Sequence, residues 1–311
     1  MIAAGVGWAL LVAATLVYIP YFTRPTYTEL PKYVPHDGPL RVVASVEVWA
    51  DVARAVGGNH VTVDAIITNP AQDPHSYEAT ARDQLLVNRA DLTVANGGFY
   101  DQFFSILAQS SPNQHRYMQA DLTMASQAYA NDASPVKLND HIWYDLDSVK
   151  NAADELTYRI NLGFPDQLVR QDIRNNARHY KRQVGKLQAL QGQIRDYAAG
   201  KKAILTESFA AHLLHNLKIT DATPAAFQTS VAQETDASPS VLAEMRTALA
   251  AHKVDVLIVN QQTESAQTNK LVRWAKAAGV PVVKLGELLP KGEHYLDWMR
   301  ANLTRLGEAL K

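Results

Sequence analysis

Cysteine is missing altogether from the 311 residues of this chain. That excludes disulfides, thiolate zinc sites, iron–sulfur clusters, a cysteine nucleophile and a lipid carried on an N-terminal cysteine. A charge of one sign is missing too. Lys and Arg number 30 against 31 Asp and Glu, for a formal net charge of −1. No run of Lys or Arg with interleaved aromatics occurs, so a nucleic-acid binder is not expected. G-x-S-x-G is absent, and with it the signal for a serine nucleophile elbow. G-x-G-x-x-G and GK[ST] are also absent, so Asn96-Gly97-Gly98 reads as a turn rather than a phosphate cradle. There is no solenoid-period repeat and no low-complexity tract.

What is present begins with an apolar N-terminus. Residues 2–21 contain no charged side chain, and a run of about 20 apolar residues is long enough to cross a bilayer as a helix. No Lys or Arg precedes it and no small-x-small cleavage site follows it. The expectation is a membrane anchor over residues 1–22, retained in preference to a cleaved signal segment. Arg24 and Lys32 after the run weakly favour an inside domain. Residues 23–38 carry Pro25, Pro31 and Pro35 without periodicity and read as an extended linker.

Beyond the linker the composition is that of globular domains, 47% hydrophobic and 20% charged. The length suggests two domains. Short β-branched runs at 41–46, 61–67 and 92–95 alternate with helical patterns at 48–56, 79–88 and 102–108. The second half repeats this, with strands expected at 203–205, 254–259 and 280–284. Helices are expected there at 208–216, 239–252, 266–278 and 294–310. Gly279-Val280-Pro281 stops a helix and starts a strand. Such alternation predicts mostly parallel sheets flanked by helices, an α/β fold. Between the halves, a helix over 147–161 precedes a much longer one. In it Leu168, Ile173, Ala177, Tyr180, Val184, Leu187, Leu190, Ile194 and Tyr197 recur mostly at three- and four-residue steps. At 1.5 Å per residue that rod spans about 50 Å. The expected organisation is an N-terminal lobe at 39–162, a bracing helix at 163–199 and a C-terminal lobe at 200–311.

Four metal-competent side chains follow strand-like runs or sit in short loops. His75 lies in Asp73-Pro74-His75-Ser76-Tyr77-Glu78, after the run 61–67. His141 lies in Asn139-Asp140-His141-Ile142-Trp143-Tyr144-Asp145. Glu207 follows the strand at 203–205, and Glu287 follows the strand at 280–284. Open α/β folds bind ligands beyond the carboxyl ends of their strands. Two neutral imidazoles and two carboxylates suit a first-row divalent ion. The absence of thiolate moves preference toward Mn²⁺ or Fe²⁺, with Zn²⁺ also admitted. Asp140 is expected to orient His141, because ligating histidines donate their other N–H to an acceptor. Asp73, Tyr77 and Glu78 read as loop bracing. His212 and His215, at i, i+3 on a helix, read as packing, and His60, His115, His179, His252 and His294 as surface residues.

From about residue 41 to 311 the chain resembles the metal-binding substrate-binding proteins of ABC transporters, the zinc/manganese solute-receptor family. DPHSYEATARDQLLVNRADLTVANGGFYDQF is similar to that family's P-H-x-Y-E element with its following A-D-L strand and N-G turn. HIWYDLDSV is similar to its H-x-W-x-D element. ILTESFAAHLL corresponds to a third element, where members have His or Glu, and VPVVKLGELLP to a fourth, where Asp is common. The resemblance implies metal binding by His75, His141, Glu207 and Glu287. It implies two α/β lobes joined by one rigid helix. It also implies no enzymatic activity, but a monomeric extracytoplasmic receptor in the cell envelope that hands one Mn²⁺, Zn²⁺ or Fe²⁺ to an ABC permease. Two departures stand out. Glu287 replaces the common Asp, and residues 121–140 contain no histidine where zinc-specific members carry a His/acid-rich loop. The alternatives are a metal-dependent hydrolase using the same ligands with an activated water, and a receptor for a metal chelate. Four protein ligands leave little room for such a water, and they argue equally against a chelate.

Overall fold

The computed structural model describes residues 38–123 and 139–311. The expected anchor at 1–22, and nearly all of the linker at 23–38, lie outside the described residues. Among the described residues no helix is long and apolar enough to cross a membrane.

The first half runs β1 (Leu40–Val46), α1 (Glu47–Gly57), β2 (Val61–Ile67), α2 (Ala81–Arg89), β3 (Leu92–Ala95), α3 (Gln102–Gln109) and β4 (Tyr117–Gln119). The four strands form one sheet in the order β2-β1-β3-β4. All pairs are parallel, with Val42 opposite both Val63 and Leu92. Two helices follow, α4 (Leu146–Leu162) and α5 (Gln167–Ala198). The second half runs β5 (Lys202–Leu205), α6 (Ala211–Leu217), β6 (Thr220–Asp221), α7 (Ala225–Ala232), α8 (Pro239–Ala250), β7 (Val256–Asn260), α9 (Ala266–Ala277), β8 (Val282–Leu285) and α10 (Tyr295–Ala309). Its sheet is again parallel and has the same order pattern, β6-β5-β7-β8.

The expected α/β character is therefore observed, as two parallel four-stranded sheets with flanking helices and a long helix between them. Parallel strands covered on both faces read as continuous apolar runs. All of Leu92–Ala95 and Val256–Asn260 are buried accordingly. In each sheet the strand order reverses beside the first strand, between β1 and β3 and again between β5 and β7. A crevice opens at the carboxyl ends of strands at such switch points. Three elements were not anticipated. β4 and β6 are too short to show a period, and the residues of β6 are exposed. α7 follows Pro224, with only Phe227 buried.

α5 is 32 residues long, about 48 Å at the helical rise. The Asp166 carboxylate caps its start by accepting from the Leu168 amide at 2.8 Å. Ile173, Ala177, Tyr180, Val184, Leu187, Ile194 and Ala198 form its buried stripe. Leu168 and Tyr197, expected in that stripe, are 77% and 38% exposed. α5 packs on α1 and α4 of the first half and on α6 and α10 of the second. A single hydrophobic core runs through residues of both sheets and of α5 and α10, with a smaller cluster under α8 and α9.

α10 ties the halves a second time. The Tyr295 hydroxyl donates to the Trp143 carbonyl at 2.5 Å, and the Tyr295 amide to Asp51 Oδ2 at 2.8 Å. The Tyr144 hydroxyl donates to the Gly286 carbonyl at 2.5 Å. His294 is exposed, as expected, but its Nδ1 lies 2.7 Å from Asp51 Oδ1 on α1. The hydrogen bond and the charge of Asp51 raise the His294 pKa above its ordinary value. A histidine raised on folding stabilises below its unfolded pKa, and that gain disappears as pH rises through the folded value. His294→Ala should therefore lower the thermal midpoint more at pH 5.5 than at pH 8.5. The difference should be about 0.5 kcal/mol, as suits an exposed pair. An equal cost at both pH values would remove this contact from the account.

Candidate metal centre

His75 sits in the loop after β2. Its backbone amide donates to Asp73 Oδ1 at 2.9 Å, and the Ser76 hydroxyl to Asp73 Oδ2 at 2.8 Å. Asp73 thus holds the turn, as expected of a bracing residue. Tyr77 fastens the far side through a 3.1 Å hydrogen bond to Asp83 Oδ2. Asp83 belongs to the Thr80–Asp83 capping box that starts α2.

His141 is buried in a box of rings, Tyr100, Trp143 and Phe209, with centroids 5.4, 5.3 and 6.5 Å away. The His75 ring lies 5.0 Å from Tyr100 and 6.0 Å from His141. The residue that orients His141 is Asn139, not Asp140. Asn139 Nδ2 donates to the Ser208 carbonyl at 2.9 Å, which leaves Oδ1 as the acceptor facing His141 Nδ1 at 3.1 Å. Nδ1 therefore carries a hydrogen, and Nε2 faces Glu287 Oε1 at 3.1 Å, a hydrogen-bond distance. His212 is buried and its Nε2 donates to the Asn139 carbonyl at 2.8 Å, so it braces the segment by a hydrogen bond as well as by its burial. The Asp140 carboxylate accepts instead from the Phe99 amide at 3.1 Å.

The Asn96-Gly97-Gly98 turn clamps this segment. Asn96 Nδ2 donates to the Asp140 carbonyl at 2.8 Å, while Asn96 Oδ1 accepts from Trp49 Nε1 at 3.1 Å. Gly97 and Gly98 have φ of +93° and +62°. A Cβ on Gly97 would stand 2.0 Å from Asp121 Oδ1, and one on Gly98 2.3 Å from Asp140 Oδ1. The turn is ringed by carboxylates, the reverse of a phosphate cradle. Burial pushes Asp101 up to about 6 against the pull of the Ser45 hydroxyl and the Gly97 and Asn96 amides. Burial likewise pushes Asp121 up to about 6, with the charges of Asp101 and Asp140 adding to it.

Glu287 follows β8 and is buried. The Gln262 side-chain oxygen accepts from the Glu287 and Leu288 amides at 2.5 and 2.9 Å. Glu287 Oε2 accepts from Asn260 Nδ2 at 3.0 Å. Burial acts to raise this carboxyl, but the His141 hydrogen bond and charge, His75 and Asn260 outweigh it and the net direction is down. Glu207 follows β5. Its Oε2 accepts from Asn260 Nδ2 at 2.6 Å and its Oε1 from the Thr263 hydroxyl. Burial, with help from the Glu287 charge, moves Glu207 up despite those two donors.

The structure brings three of the four expected residues together. One donor atom each of His75, His141 and Glu287 lies within 4.8 Å of the others. Glu207 stands outside that trio and is joined to it through Asn260. Sequence reasoning missed Asn139, Asn260, Gln262 and Thr263. Asn260-Gln261-Gln262-Thr263 does follow an apolar strand, the same signal that picked out Glu207. A search for metal-competent side chains passes over neutral amides and hydroxyls.

Comparison with known proteins bears on the whole of this architecture. The family model for zinc-uptake complex component A, periplasmic, matches residues 42–309. The chain belongs to that family. It is 23% identical over 292 residues to the iron ABC transporter substrate-binding lipoprotein MtsA of Streptococcus pyogenes serotype M1, covering 87% of this chain and 89% of that protein. It is 21% identical over 287 residues to the manganese-binding lipoprotein MntA of Bacillus subtilis strain 168, covering 88% and 91%. The fold is similar to that of the periplasmic zinc binding protein TroA from Treponema pallidum, with TM-score 0.72, 16% identity and coverage of 88% and 99%. It is also similar to FpvC from Pseudomonas aeruginosa in complex with Mn²⁺, with TM-score 0.68, 19% identity and coverage of 88% and 98%.

Gly97→Ala combines an unfavourable φ with a clash against Asp121, so it should destabilise the protein by about 2 kcal/mol or more. Urea unfolding measures this, and an unchanged midpoint would contradict the account of the turn.

Proposed function

We propose that the chain is an extracytoplasmic receptor that binds one divalent transition-metal ion between two α/β lobes and presents it to the permease of an ABC transporter. His75, His141 and Glu287 are the core ligands and Glu207 the fourth. The ion is Mn²⁺, Zn²⁺ or Fe²⁺, carried as cargo. The observation that carries this reading is the convergence of an exposed His75 and a buried His141, from the first half, with a buried Glu287, from the second, within 4.8 Å. The lobes are taken as 39–162 and 200–311, braced by 163–199, and the receptor acts as a monomer.

The chemistry of the donor set supports a dication. Two imidazoles and two carboxylates sum to neutrality with one divalent ion. Among the described residues no Lys or Arg pairs with Glu207 or Glu287, so no resident cation fills that role. Glu207, the acid outside the trio, is not left free to act as a general base for hydrolysis. Both oxygens of Glu207 already accept from neutral donors. With α5 packed on both halves, only a small relative movement of the lobes is expected on binding. The two curated relatives are named as lipoproteins. These 311 residues hold no thiol to carry a lipid, so the proposed attachment to the membrane is the apolar run 2–21.

Metal content and chelator-competed affinity of the purified full-length protein test the reading. The wild type should bind one ion per chain. His75→Ala, His141→Ala and Glu287→Ala should each weaken binding by about 100-fold or more, as loss of a ligand does, and Glu207→Ala by less. A His75→Ala protein with full affinity would sink the assignment. Ligating imidazoles must be neutral. Affinity should therefore fall by at least about 30-fold from pH 7.5 to pH 5, since imidazole ordinarily titrates near 6.5. A flat profile would count against histidine ligation.

A further inference from the structure

Asn260 ends β7, the strand that lies between β5 and β8. Glu207 stands just beyond β5 and Glu287 just beyond β8, so Asn260 projects from the middle strand between two carboxylate-bearing neighbours. Its side chain is fully buried. Its backbone amide donates to the hydroxyl of Thr206, the residue before Glu207, at 3.0 Å. Its amide group can face only one way. Oδ1 accepts from the Gln262 backbone amide at 3.0 Å, which turns Nδ2 toward Glu207 Oε2 at 2.6 Å and Glu287 Oε2 at 3.0 Å. An amide nitrogen has two hydrogens, and each carboxylate takes one.

We propose that Asn260 is the positioning residue of this centre, holding both carboxylates through one amide group and fixing which of their oxygens an ion meets. This rests on the metal-receptor reading of the same site. With Oε2 held by Asn260, Glu287 offers Oε1, the oxygen already turned to His141. Glu287 therefore meets the ion first through that oxygen. Glu207 has Oε2 on Asn260 and Oε1 on Thr263. It enters the ion's shell only by sharing or releasing one of those donors, which makes it the late and weaker ligand. Asn260 also places two hydrogens between like charges that would otherwise repel across a buried gap. It acts through the carboxylates and does not touch the ion.

The experiment measures Zn²⁺ and Mn²⁺ affinities of the full chain by chelator competition for wild type, N260A, N260S, E207A and the N260A/E207A double variant. Thermal midpoints of the metal-free proteins are recorded alongside. N260A should weaken both ions by about 10-fold or more, as expected for losing hydrogen bonds to charged groups, in a chain that still unfolds cooperatively, at a lowered midpoint. In the E207A background the same change should cost at least about threefold less, because one of its two acceptors is already gone. N260S, with a single shorter donor, should fall between wild type and N260A. Unchanged affinity, or an equal cost in both backgrounds, overturns the inference. So does loss of the fold in both N260A and N260S, which would make Asn260 a residue of the fold. A wild-type chain that binds neither ion overturns the receptor reading itself, whatever the variants do.

Discussion

His141 Nε2 meets Glu287 Oε1 at 3.1 Å, 146 residues apart in the chain. The rest of the structure answers to that contact. The two groups stand beyond different sheets, and a hydrogen bond tolerates only tenths of an ångström. The separation of the sheets must therefore be set by something stiff. α5 supplies this by packing its buried stripe on both halves. α10 supplies it again from the other direction, through Tyr295 on Trp143 and on Asp51. Around His141 the Tyr100, Trp143 and Phe209 rings leave the imidazole little freedom to tilt.

The electrostatics of the centre follow from what surrounds it. Its carboxylates are held by an amide, a hydroxyl and a histidine, and by no lysine or arginine among the described residues. The amide and the hydroxyl fix geometry without neutralising charge. Burial then works against the ionised forms. It shows at Glu207, where desolvation and the Glu287 charge win. It fails at Glu287, where the imidazoles lie close enough to reverse it. On the proposed reading the two acids differ for a purpose. One is held ionised beside the histidines, and the other is kept in reserve on Asn260 and Thr263.

The two halves also answer each other. Asn96 follows β3 and Asn260 ends β7, the third strands in the matching orders β2-β1-β3-β4 and β6-β5-β7-β8. Each uses a buried amide to hold elements that arrive from elsewhere. Asn96 takes the backbone that carries His141, and Asn260 takes the carboxylates. Hydrogen-bond capacity placed at a switch point is capacity placed where loops from both sides converge.

The sequence by itself determined the α/β alternation, most strand positions and the long helix, because apolar period is a local property. It also singled out His75, His141, Glu207 and Glu287, because a metal-competent side chain after an apolar run or in a short loop is visible without knowing its neighbours. It did not disclose β4, β6 or α7, which are too short or too exposed to show a period. It could not show that Asn139 rather than Asp140 orients His141, since the choice turns on Ser208 lying 69 residues away. Nor could it separate Glu207 from the trio. That separation depends on Thr263 and Asn260 reaching the carboxylate across neighbouring strands of the sheet. Which residues can do chemistry is written along the chain. Which oxygen and which nitrogen face one another is settled only by packing, because it depends on atoms that meet through strand order and not through sequence distance.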